Sequence, residues 1–105
     1  MTLHLVIHRP EAPAGSEAEA AMRAALRDAV WEAAESHWVP GGEVLGEALL
    51  VSTDLSPDYL LAHFRRGMAR RGFPDPGMIL VVQASDRLAH TGIAADAEGW
   101  IRGAL

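Results

Sequence analysis

The chain contains no cysteine, no lysine and no asparagine among its 105 residues. Without cysteine there are no disulfides, no thiolate zinc sites and no cysteine nucleophiles. All nine basic residues are Arg, and Ala is abundant. That bias is the one expected of a GC-rich bacterial genome. Aromatic residues make up only 6%, so the core must be built from aliphatic groups. The longest apolar run, Met78 to Val82, falls far short of the ~20 residues that span a bilayer. The N-terminus shows neither a basic stretch ahead of an apolar one nor a signal cleavage pattern, and the cytoplasm is the expected location. Neither G-x-x-x-x-G-K-[ST] nor G-x-G-x-x-G occurs, so Pro40-Gly41-Gly42 and Gly67 are not phosphate loops.

What is present is ordinary for a globular chain. Residues 1–105 have the length of a single domain. Half the residues are hydrophobic and 22% are charged, which excludes a disordered chain. The net charge of −5 argues against a nucleic-acid coat protein or a polybasic membrane binder. It is also uneven. Residues 1–52 carry three Arg and eight acids, whereas residues 53–105 carry six of each.

The spacing of apolar residues places the elements. Leu3, Leu5 and Ile7 alternate with His4, Val6 and His8 as in a strand. Two Pro and a Gly between Arg9 and Gly15 end it. Ser16 and Glu19 form an S-x-x-E capping box, and Met22, Leu26, Ala29, Val30 and Ala33 follow as a buried helical stripe. Glu19 and Arg23 are an i,i+4 pair on its outside. This helix is expected to end near Ser36 or His37. Ala48 to Thr53 reads as a buried strand, with Trp38-Val39 or Val44-Leu45 as a shorter partner. Ser56-Pro57 starts a second helix with stripe Leu60, Leu61, Phe64 and Met68, and Gly72 caps its end. Met78 to Val82 is apolar at every position, so both of its faces should be covered. Ala97, Trp100, Ile101, Ala104 and Leu105 mark a short amphipathic helix.

This order, strand–helix–strand pair–helix–strand–short helix, predicts an α+β ferredoxin-like plait with two helices on one face of an antiparallel sheet. A small doubly wound sheet is the alternative. Two helices cover only one face, yet the strands at 48–53 and 78–82 are apolar on both. The second face must be covered by the C-terminal segment, by a partner subunit, or by both, and a symmetric homodimer is the simplest partner.

Several runs also resemble a known family. They are Ser36-His37-Trp38, Ala48 through Ser56, Met78 through Gln83, and Thr91-Gly92-Ile93 running to Trp100-Ile101-Arg102. Together they are similar to the SinR-like branch of the small CRISPR-associated, ferredoxin-like, endoribonuclease-like proteins, over about two-thirds of the chain. The resemblance implies a homodimer with its sheets packed together. In the nuclease relatives it also implies a metal-binding Asp just after the first strand, one from each subunit. Here the corresponding residues are Ile7-His8-Arg9-Pro10, and that departure counts against phosphodiesterase activity.

The candidate functional residues each have a plainer structural reading. His4 and His8 lie on one side of a strand but roughly 13 Å apart along it, too far for one ion to bridge unaided. They read as polar residues on a half-covered or interfacial face. His37 stands beside Trp38 after Glu32 and Glu35, either as an acid–base group or as a helix-terminal His. His63 and His90 are single. Asp54 and Asp86 each follow a strand and are the weak metal candidates, with turn and cap chemistry as the alternative. Arg65, Arg66, Arg70 and Arg71 form the one dense basic group. It would grip phosphate or an acidic partner, or pair with the acids of the first helix.

Three functions are compatible with these residues. The first is a non-catalytic homodimeric interaction or accessory module, with the Arg group or the acidic helix selecting an acidic protein or nucleic-acid partner. The second is a metal-dependent, nuclease-like relic in which Asp54 or Asp86 replaces the missing carboxylate. The third is a small-molecule binder or enzyme with a pocket between sheet and helices, lined by His37, His63 or Trp38. The sequence calls for no cofactor and no membrane partner.

Overall fold

A computed structural model describes residues 2–34, 38–39, 48–84 and 95–104. The elements run β1 (Thr2–Arg9), α1 (Glu17–Ala34), β2 (Trp38–Val39), β3 (Ala48–Thr53), α2 (Pro57–Arg70), β4 (Met78–Gln83) and α3 (Ala95–Ala104). Among the described residues the sheet has the order β2-β3-β1-β4, with every pairing antiparallel. This is the ferredoxin-like plait, and the antiparallel pairings exclude the doubly wound alternative. Three strands are long and β2 is only two residues. It is Trp38-Val39 that pairs with β3, at Val51 and Leu50. Val44-Leu45, the other expected partner, lies outside the described residues.

Both helix starts follow from local chemistry. At α1 the Ser16 hydroxyl accepts the Glu19 N–H at 3.1 Å. Glu19 reaches back to the Gly15 N–H at 3.5 Å, one residue earlier than a capping box expects, because the Ser16 N–H is already donated to the Pro13 carbonyl. Glu19 also meets Arg23 at 3.7 Å, as the spacing predicts. At α2 the Ser56 hydroxyl accepts the Tyr59 N–H at 3.2 Å and Pro57 opens the helix. The end of α2 is a Schellman turn. Gly72, at φ +91°, donates to the Ala69 carbonyl, and Phe73 donates to that of Met68.

The core lies between these two helices and one face of the sheet. It contains Ala25, Leu26, Val30 and Ala33 of α1, Leu60, Phe64 and Met68 of α2, and Val6, Leu49 and Val51 of the strands. Met22, Ile79 and Val81 pack at its margin. The expected α1 stripe is therefore buried, apart from a partly covered Met22. On α2, Leu61 is half-exposed, and Gly67 takes its place in the buried row. The reason is the helix crossing. A Cβ on Gly67 would stand 2.8 Å from the Ala29 Cβ, so only hydrogen lets the two helices approach so closely.

Register then decides which side chains share a face. Val6 lies opposite Leu49 and Val81, His4 opposite Val51, and His8 opposite Ile79. Because side chains alternate, His4 and His8 point at the helices with Val6. The expectation of a half-covered or interfacial face for them does not hold: they are 0% and 3% exposed. The second face carries Leu3, Leu5 and Ile7, Leu50, and Met78, Leu80 and Val82. Leu3, Leu50 and Ile101 are buried but lie outside the main core cluster. Their burial places α3, which contacts β1, on this second face.

Candidate functional site

The second face is only partly covered. α3 contacts β1, while β4 is an edge strand among the described residues. Met78, Leu80 and Val82 are 42, 47 and 42% exposed. Among the described residues, the expected cover over both faces of this strand is therefore incomplete. Beside them Leu5 and Ile7 of β1 are half-buried. Arg9, paired with Met78, brings a charge to one end of this array. Large side chains clustered with such exposure mark an interaction surface more often than chance scatter does.

The Arg group divides in two. Arg70 donates to one Glu32 oxygen at 2.8 Å and Arg71 to the other at 2.5 Å, while Arg71 also donates to the Gly67 carbonyl at 2.9 Å. A single carboxylate of the first helix thus engages two of the four Arg within one chain. Arg71, and then Arg70, hold the Glu32 carboxyl below its usual range. Arg65 and Arg66 are exposed and form no ion pair among the described residues. Arg66 and Arg70 flank a shallow depression of about 370 Å³ together with His63. The His63 ring lies 5.9 Å from that of Tyr59, and its Nδ1 is buried without a partner.

The two core histidines are held in defined tautomers. His8 Nε2 donates to the Pro76 carbonyl at 2.8 Å, and His4 Nδ1 to that of Thr2 at 3.2 Å. A carbonyl only accepts, so each of these nitrogens carries the proton. His8 Nδ1 and His4 Nε2 are left as buried lone pairs with no partner. Burial lowers the pKa of both, and the nearby Arg23 guanidinium lowers that of His8 further. The bond from His8 also ties the 74–77 segment to the centre of the sheet.

That segment forms one wall of a cleft. About 670 Å³ in volume, it opens between the Arg9–Glu11 turn, Leu61 and Arg65 of α2, and Pro74 to Ile79. Gly77, at φ +86°, crosses the turn closely: a Cβ there would lie 2.3 Å from the Arg9 carbonyl and 2.6 Å from the Glu11 nitrogen. Arg9, Glu11, Arg65 and Asp75 all line the cleft, and none of them is ion-paired with a described residue. Of these four, only Arg65 was a candidate on sequence grounds. No motif spacing joins positions so far apart in the chain.

The remaining candidates are dispersed. Asp54 is exposed in the turn after β3 and has an interaction of its own. It leaves the sheet where Thr53 faces Thr2, at the end opposite to the cleft. His37, Asp86 and His90 lie outside the described residues, and Trp38 enters β2. Among the described residues no three His, Asp or Glu side chains gather as a metal site would require. No described helix is long and apolar enough to cross a membrane. No protein-family model, curated protein or solved structure matches the chain.

Proposed function

We propose that the chain is an interaction module that works as a homodimer, joined through the second face of its sheet. The observation that supports this reading is the exposed stripe Met78, Leu80 and Val82 on edge strand β4, beside half-buried Leu5 and Ile7. A second copy is the partner that suits it. The paired residues Leu5–Val82 and Ile7–Leu80 are all uncharged, so they offer no sign by which to select a charged surface. A two-fold axis through such a patch brings apolar side chain against apolar side chain on both subunits. The resemblance to the SinR-like branch implies the same association. Arg66, exposed on α2, remains outside this face to meet an acidic partner of the dimer.

Light scattering at micromolar concentration tests the proposal. The expected mass is twice the 11.2 kDa of one chain. Leu80→Asp should give a folded monomer with an unchanged far-UV spectrum. A wild-type monomer, or a dimer indifferent to Leu80→Asp, overturns it.

A further inference from the structure

We infer that the cleft between the Arg9–Glu11 turn, α2 and the 74–79 segment binds a small zwitterion, an amino acid or dipeptide with an aliphatic side chain and both termini free. Four observations converge on this ligand class.

The first is charge. Arg9 and Arg65 supply two guanidinium groups, Glu11 and Asp75 two carboxylates, and none is spent on an ion pair with a described residue. A simple anion would be drawn to the Arg pair and repelled by the acids, and a simple cation would meet the reverse. A ligand with separated charges satisfies both sets at once. Its carboxylate takes the fork of an Arg, and its ammonium donates to Asp75 or Glu11.

The second observation is the apolar lining. Leu61, Met78 and Ile79, with the rings of Pro74 and Pro76, supply it between the charged groups. An aliphatic side chain fits this surface, whereas a sugar or a nucleotide would find few uncharged polar partners there. The third is size. About 670 Å³ lies inside the usual range of small-ligand sites, roughly 300–1,000 Å³.

The fourth is rigidity. Gly77 is wedged against the backbone of Arg9 and Glu11, and the His8 ring holds the Pro76 carbonyl at 2.8 Å. Directly before them, the Schellman turn at Gly72 and Phe73 closes α2. The wall carrying Asp75 is thereby fixed relative to the turn carrying Arg9, so little ordering is left for the ligand to induce.

Calorimetric titration and thermal shift with L-leucine and L-leucyl-L-leucine test the inference, beside the same dipeptide acetylated at one end and amidated at the other. The expected result is saturable binding of a free-termini probe, lost on blocking both ends. Arg65→Gln and Asp75→Asn should each weaken it about tenfold or more, while Arg66→Gln, on the same helix but outside the cleft, should leave it unchanged. Binding of L-leucine alone assigns the site to amino acids, and binding of the dipeptide alone to peptide termini. No saturable binding by either probe overturns the inference. So does equal binding of the blocked peptide, or binding that neither cleft substitution alters. Repeating the titration on Leu80→Asp separates this site from the proposed dimer.

Discussion

The two faces of this sheet are built from alternate residues of the same three long strands, yet they do different work. One face meets α1 and α2 and encloses Val6, Leu49 and Val51 with Phe64, Leu60 and Met68. Among the described residues the other meets the short α3, and leaves Met78, Leu80 and Val82 about half exposed. Apolar character is thus no guide to which face holds the domain together. Leu80 is as hydrophobic as Leu49, but Leu80 stays 47% exposed where Leu49 is 7% exposed. The difference teaches that the described core is anchored on the helix face.

Substitutions can break this contrast. The largest effect is expected at Phe64, which is fully buried on the helix face. Phe64→Ala should cost about 3–5 kcal/mol, read as a drop in the urea midpoint. Gly67→Val tests the tightness of the same layer, where a Cβ meets Ala29 at 2.8 Å. Its expected cost is about 1–3 kcal/mol through overpacking, and a loss under half of that would show that the helices part easily.

Acidification probes the same face differently. His4 and His8 are disfavoured as cations in the folded chain, so their pKa values lie below the ordinary 6.5. As pH falls below that value, the unfolded chain takes up protons that the folded chain refuses, and stability falls until the lowered folded pKa values are reached. Well above 6.5 these groups are neutral in both states and contribute no slope. Denaturation midpoints between neutral and mildly acid pH should show this decline, and His4→Gln with His8→Gln should flatten it. Ser56→Ala, which removes a cap outside both faces, should cost about 1 kcal/mol. Leu80→Ser should sit at the bottom of the series, within about 0.5 kcal/mol for the monomer. A cost at Leu80 matching that at Phe64 would erase the distinction between the faces.

Local features were legible in the sequence because they depend on neighbours in the chain. Ser16 and Ser56 start helices through bonds that reach three residues ahead. The α1 stripe follows from helical period, and Gly72 from the turn it must make. The element order pointed to the plait, since so short a chain has few ways to arrange it. The Arg group was visible as a cluster, but its division was not. Glu32 lies 38 residues from Arg70, and only the crossing of α1 over α2 brings them together. The cleft was hidden for the same reason, because Arg9, Arg65 and Asp75 come from three separate segments.

By itself, the sequence determined the helices, the long strands and their caps, because hydrophobic period and backbone hydrogen bonding act over a few residues. The tertiary structure alone decided which strand became the edge, which way His4 and His8 faced, and which charges were paired. Those outcomes depend on strand order and register, where a shift of one residue exchanges the two faces of a strand. The same five apolar residues from Met78 to Val82 therefore supply a core margin on one side, at Ile79 and Val81, and an exposed surface on the other.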